Sequence, residues 1–167
     1  MLREYAEVLG GDFRGYAHHT QRVLAFTVAF ARPRDEQLER IAIAAAFHDL
    51  GIWTDRTFDY LEPSRALARA HLDGIGRPEW VPEIVEMILR HHQVRPYRQR
   101  PDWLVEPFRR ADWVDVSGGM LTFGLPRAFV RETYARWPSA GFHGRLIRLA
   151  VERLRTHPLS PLPMLKI

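Results

Sequence analysis

From Tyr16 to Arg155 the apolar residues recur every three or four positions, and no stretch alternates apolar and polar between hairpin turns. That period suits one buried stripe of a helix, whereas a half-buried strand needs a period of two. His19, Val23, Phe26 and Phe30 form such a stripe, in a helix predicted to begin near Tyr16, after Gly15, and to stop before Pro33. Ile41, Ala44, Ala45 and His48 repeat the pattern, with Gly51 read as the C-terminal stop. Further helices are predicted from near Pro63 to Leu72, from Trp80 or Pro82 into His91 and His92, and from Trp103 to Val116. Two more run from Pro126 to Trp137 and from His143 to Arg155. The tail from His157 to Pro163 holds too many prolines for a helix and reads as an extended wrap or a loose end. The expectation is an all-α bundle of six to seven helices, and 167 residues leave little room for a second domain.

Composition narrows the chemistry. There is no cysteine, which excludes thiol catalysis, disulfide frameworks and thiolate-bound zinc. The longest apolar run, Ile41 to Phe47, is far short of the roughly 20 residues of a membrane span. The N-terminus lacks the apolar core of a secretory signal, so a soluble, cytoplasmic protein is expected. The net charge is +4, built from 23 arginines and the single lysine Lys166. Arginine's planar fork suits phosphate and carboxylate ligands, although codon usage in a GC-rich genome would produce the same bias. The arginines are scattered rather than clustered on one face, which argues against a nucleic-acid partner other than a nucleotide.

His19, His48, Asp49, His71, His91, His92 and Asp112 each fall at or near the inner face of a predicted helix, whereas His18 points roughly 100° away from His19. Any one of them alone is ordinary: a single histidine on an apolar face is usually a satisfied core residue. Together they would each incur a desolvation cost unless something paired them. A divalent cation does this for a whole group, and helical bundles build metal sites from ligands on facing helices. Imidazole and carboxylate donors suit manganese, iron, cobalt, nickel or zinc, as one ion or two.

The ordered set His19-x-x-Arg22-Val23, His48-Asp49-Leu50-Gly51, Ile88-Leu89-Arg90-His91-His92 and Ala111-Asp112 resembles the HD-domain superfamily of metal-dependent phosphohydrolases. The resemblance spans about residues 16–118 and leaves the C-terminal helices and proline-rich tail, 119–167, outside it. It implies His19, His48, Asp49 and Asp112 as primary metal ligands, with Asp49 as the carboxylate that bridges two ions. His71, and one or both of His91 and His92, match the additional histidines of two-metal members. The activity it implies is hydrolysis of a phosphate ester, a nucleotide or a related small molecule, by metal-activated water. Some relatives of the fold instead hold two irons and activate oxygen, or act on substrates without phosphate. A non-catalytic ligand-sensing module is a further alternative.

Beyond the ligands, Arg22 lies one turn after His19 and is expected to reach Asp49 or a bound phosphate, alongside the catalytic carboxylates Asp49 and Asp112. Arg95, Arg98 and Arg100 sit on the loop after the paired histidines, where they read either as phosphate contacts or as a solvated charge run. Trp53, Tyr60, Tyr97 and Trp103 are candidate stacking surfaces for a flat substrate, with core or rim packing as their alternative. Asp115 fits either an outer partner that orients a histidine N–H or a helix-surface carboxylate. The C-terminal third is expected to pack over the bundle or to form a contact in a homo-oligomer.

Overall fold

The computed structural model describes residues 1–165. Its longer helices are α1 (Phe13–Ala31), α2 (Asp35–Phe47), α3 (Leu61–Gly74), α4 (Val81–Arg90), α5 (Val105–Val116), α6 (Arg127–Arg136) and α7 (Phe142–Thr156). No β-strand occurs among the described residues, and the all-α expectation holds. Short helical turns occupy residues 2–12, Gly51–Thr54 and Pro78–Trp80. None of these was anticipated from periodicity, because one turn is too short to show a stripe. No helix among the described residues is long and apolar enough to cross a membrane.

Local chemistry sets the ends of the elements. Helix α1 stops where Arg32 turns left-handed, at φ 48°, and donates its N–H to the Val28 carbonyl, just before Pro33. Helix α2 starts with Asp35 and Glu36 in its first turn, where carboxylates favour the positive helix end. The Gln37 side chain accepts the Arg34 backbone N–H at 3.0 Å there.

Helices α1, α2, α4 and α5 form a closed ring in which each packs on two neighbours, α1 on α5 most extensively. Val23 and Phe26 of α1, Ile41 and Ala44 of α2, Ile84 and Ile88 of α4, and Phe108 and Ala111 of α5 are fully buried between them. Burying a side chain the size of Phe26 or Ile84 contributes about 1.5–3 kcal/mol, which is the reserve against which a polar centre can be held. Helix α3 lies outside the ring against α2 and α4, while α6 and α7 pack on α1. The C-terminal third therefore covers the bundle. Residues 157–165, the described part of the tail, are non-helical and touch down at Met164, which is buried.

Two glycines that read as helix punctuation prove to be points of close approach. Gly15 lies inside α1, not before it, and a Cβ there would sit 2.9 Å from the Ala140 carbonyl oxygen. The corner that leads into α7 docks at that spot. Gly51 does not end the chain's helical run but opens the Gly51–Thr54 turn. A Cβ on it would lie 2.6 Å from the Tyr60 oxygen and 2.9 Å from the Ser64 nitrogen, both backbone atoms that cannot swing aside.

Gly51→Ala should therefore lose about 1–3 kcal/mol in a urea titration, the range for overpacking a filled interior. Gly74→Ala, whose Cβ would meet nothing within 4 Å, should be neutral or gain up to about 1 kcal/mol. Equal stabilities for the two variants would contradict the close approach at Gly51.

Candidate metal centre

The four ring helices each deliver polar side chains to the same interior point. His19 comes from α1, His48 and Asp49 follow α2, His91 and His92 follow α4, and Asp112 comes from α5. His19, His48, Asp49, His91 and Asp112 are at most 1% exposed, and the His92 side chain is 12% exposed. Three overlapping triads have donor atoms within 4.8 Å of one another: His19–His48–Asp112, His48–Asp49–His91 and His91–His92–Asp112.

The outer nitrogen of each imidazole decides which nitrogen faces inward. His48 Nδ1 donates to the Ala45 carbonyl at 2.9 Å, and His91 Nδ1 to the Ile88 carbonyl at 2.6 Å. His19 Nδ1 donates to Asp115 Oδ2 at 2.6 Å. With Nδ1 protonated in all three, Nε2 is the nitrogen that faces the centre, and it carries a lone pair wherever the ring is neutral. His19 Nε2 and His48 Nε2 are then 2.8 Å apart. Two lone pairs at that distance repel unless a proton or a cation lies between them. The carboxylates pose the complementary problem. Asp49 Oδ1 and both oxygens of Asp112 are buried without a hydrogen-bond partner. Their nearest polar neighbours are imidazole nitrogens, His91 Nε2 at 3.3 Å from Asp49 Oδ1 and His92 Nδ1 at 3.2 Å from Asp112 Oδ2, with no hydrogen bond to them. A cation satisfies lone pairs and carboxylates together, so the residues fit a metal.

The donors divide into two halves. Asp49 Oδ2 lies 3.5 Å from both His19 Nε2 and His48 Nε2, while its Oδ1 lies 3.3 Å from His91 Nε2. Asp112 Oδ1 faces His19 and His48 at 3.8 and 3.7 Å, and its Oδ2 faces His92 Nδ1 at 3.2 Å. Each carboxylate thus spans from the His19–His48 side to the His91–His92 side. Both adjacent histidines enter the centre, which the sequence left open.

The charge states follow from this crowding. Burial alone would keep His19 neutral, but the Asp115 and Asp49 carboxylates outweigh it and raise its pKa to about 9. His91 is raised as well, against burial, by Asp49 and Asp112. His92 is lowered to about 4 by burial and by the neighbouring His91. Asp49 is held well below the usual carboxylate range, against burial, by His48, His19 and His91. Asp112 is lowered in the same way by His92, His48 and His91.

Several expected site residues lie elsewhere. Arg22 shares the His19 face of α1, yet its guanidinium does not reach Asp49. It forms a two-point ion pair with Asp115, with Nη2 3.0 Å from Oδ2, and it donates to the Trp137 carbonyl at 2.8 Å. Asp115, one turn after Asp112, draws it outward and proves to be the partner that orients His19. His71 is half-buried at the edge of the Leu61–Ser64–Ala68–Leu72 stripe, with its ring against Phe47 at 5.2 Å, outside the cluster. Trp53 is core: it packs on Tyr16 at 4.8 Å and donates its indole N–H to Asp12. Arg95, Arg98 and Arg100 are exposed, and Arg100 lies over Trp103. His18 donates to the Pro138 carbonyl at 2.7 Å, away from the centre as its register required.

Three further residues complete the site: Tyr60, which the sequence offered only as a stacking surface, and Phe142 and His143, which sequence reasoning passed over. The Tyr60 hydroxyl is 3.0 Å from His92 Nε2 and 3.4 Å from His91 Nε2. Phe142 stacks on His19 at 4.0 Å and 16°. His143 Nε2 donates to the Asp115 carbonyl at 2.8 Å. Tyr60 sits just ahead of the α3 stripe and acts through its hydroxyl rather than as a stacking face. Phe142 and His143 lie more than 120 residues beyond His19, and no local signal marks them. Comparison with models of protein families, with curated proteins and with solved structures finds no match.

The protonated His19 gives a pH test. Its raised pKa stabilises the metal-free fold fully below about pH 6.5, the unfolded value. That contribution is lost as pH rises through about 9. A metal needs the same nitrogen deprotonated, so its binding should strengthen over that window. The stabilisation given by a fixed excess of metal, read from the rise in Tm, should therefore grow from pH 6.5 to 9 by on the order of 1.4 kcal/mol per pH unit for each proton displaced. A metal-induced shift that stays constant across this range would contradict the assignment.

Proposed function

We propose that this centre holds two divalent transition-metal ions and hydrolyses a phosphate ester of a small molecule, as the resemblance to HD-domain phosphohydrolases implies. His19 and His48 would hold one ion and His91 and His92 the other, with Asp49 and Asp112 shared between them. The observation that carries the reading is the set of inward-facing Nε2 atoms beside three carboxylate oxygens that lack any hydrogen-bond partner. Bound there, such ions supply Lewis acidity and lower the pKa of water toward neutrality. Manganese, iron, cobalt, nickel and zinc all suit the donor set.

The protein's own groups do the rest of the work. The carbonyls of Ala45 and Ile88 and the Asp115 carboxylate hold the three rings in one tautomer. Stacking by Phe142 fixes the plane of His19, and the Tyr60 hydroxyl fixes His92. Phe108, edge-on to His48 at 5.5 Å, closes one side of the site to water. A small, soluble, cytoplasmic substrate fits this reading better than a polymer, since His92 is the cluster's one partly exposed side chain. One observation favours a second reading: the approach beside His92 is lined almost wholly by apolar side chains. Apolar surroundings suit a two-iron oxygenase as well as a hydrolase, and the metal separates them.

Protein purified without chelators should carry close to two equivalents of a first-row metal, and that metal should support turnover in a phosphoester screen. Asp49→Ala should lose most of the metal, a larger effect than the roughly 10–100-fold drop in affinity from losing an outer hydrogen-bond partner. His18→Ala should keep both metal and activity. Wild type and Asp49→Ala equally metal-free after reconstitution would sink the metal centre. A two-iron protein that turns over no phosphorylated compound would move the assignment to oxygen chemistry.

A further inference from the structure

Of the six residues in the centre, His92 alone has appreciable exposure, 12% of its side chain against 0–1% for the others. His92 is therefore the cluster's one side chain in contact with the surface. On that side lies a cavity of about 280 Å³, at the small end of ligand pockets. Its walls include Phe58, Trp113, Val116, Leu146, Ile147 and Met164. Trp113 directs its indole N–H to the Gln93 carbonyl at 3.3 Å, so its ring lines the cavity as an apolar surface. The polar side chains at the inner end are Tyr60 and His92, which already touch each other at 3.0 Å. The cavity is thus polar at the end nearest the carboxylates and apolar along its length.

The outer wall is built from parts a folded chain does not need to leave open. Ile147 is 64% exposed on α7, although Leu146 and Ala150 on the same helix pack partly against the core. The tail returns from a fully exposed Leu159 to a buried Met164, placing flexible leucine and methionine side chains over the cavity. Such side chains adapt to a flexible aliphatic ligand better than to a rigid, hydrogen-bonding one. A nucleotide base would need donors and acceptors along its edge, and this wall presents hydrocarbon.

We propose, resting on the hydrolase reading above, that the substrate carries a short aliphatic chain that fills this cavity and presents its ester end to Tyr60 and His92. Each buried methylene should then improve productive binding roughly fourfold until the cavity is full.

The metal-loaded full chain can be tested with ethyl, butyl, hexyl and octyl phosphate. kcat/KM should climb roughly fourfold per methylene and then level off. Ala150→Phe, which fills the cavity, should flatten the series while circular dichroism and metal content stay at wild-type values. Should that variant misfold, Ile147→Asp at its exposed position should flatten the series in the same way. Equal kcat/KM for ethyl and octyl phosphate would overturn the inference even where turnover is seen. If no phosphate ester is turned over with any metal, the hydrolase reading falls separately. Methyl NMR signals of Ile147 and Met164 then decide the cavity: saturable shifts with octyl phosphate support it, and unchanged signals refute it. A dimer that buries Ile147 and excludes octyl phosphate would also refute it.

Discussion

An imidazole or carboxylate taken out of water costs free energy unless each of its polar atoms finds a partner. Six such groups meet between α1, α2, α4 and α5, and their outer atoms are matched before their inner ones. Backbone carbonyls at the ends of α2 and α4 take the outer protons of His48 and His91. These carbonyls sit three residues before each histidine, where a helix end leaves acceptors without intrahelical donors. Placing His48 and His91 just past their helices thus satisfies the helix ends and fixes the tautomers in one arrangement. The surrounding ring of Phe26, Ile41, Ile84 and Phe108 supplies the apolar burial that keeps such a centre folded.

Asp115 connects this centre to the rest of the chain. Its carboxylate accepts from His19 and Arg22 while its carbonyl accepts from Tyr134 and His143. Against its own burial, His19 and Arg22 hold it well below the ordinary carboxylate range. The buried Arg22 charge would be costly without this partner. Helices α6 and α7 are therefore part of the centre's support, with Phe142 on His19 and Tyr134 and His143 on the Asp115 backbone. A resemblance confined to residues 16–118 misses that support.

The arginine-rich composition contributes less to the site than its chemistry suggested. Arg22 neutralises Asp115, Arg109 bonds Glu106 and the Gln93 carbonyl, and the loop arginines face solvent. What borders the approach to His92 is hydrocarbon from α5, α7 and the tail. Binding there would draw on apolar burial more than on charge, with polarity concentrated at Tyr60 and His92.

The helices, the ring's apolar faces and the inward register of His19, His48 and Asp112 were legible because a 3.6-residue period states which face is buried. The same period separated His18 from His19. It could not say where a side chain with several reachable partners would go. Arg22, by helix geometry, and Trp53, by following His48-Asp49, were within reach of the centre, but partners on α5 and in the N-terminal turns claimed them. Gly15 and Gly51 looked like punctuation because local sequence records a missing Cβ without naming the backbone that needs the space. His71 fell outside because a place at the edge of the α3 stripe does not say what that edge meets until α3 is docked on α2. Phe142, His143 and the aliphatic cavity exist only once residues more than 100 positions apart are packed together. Local periodicity determined which faces turn inward, and tertiary packing decided which inward groups meet.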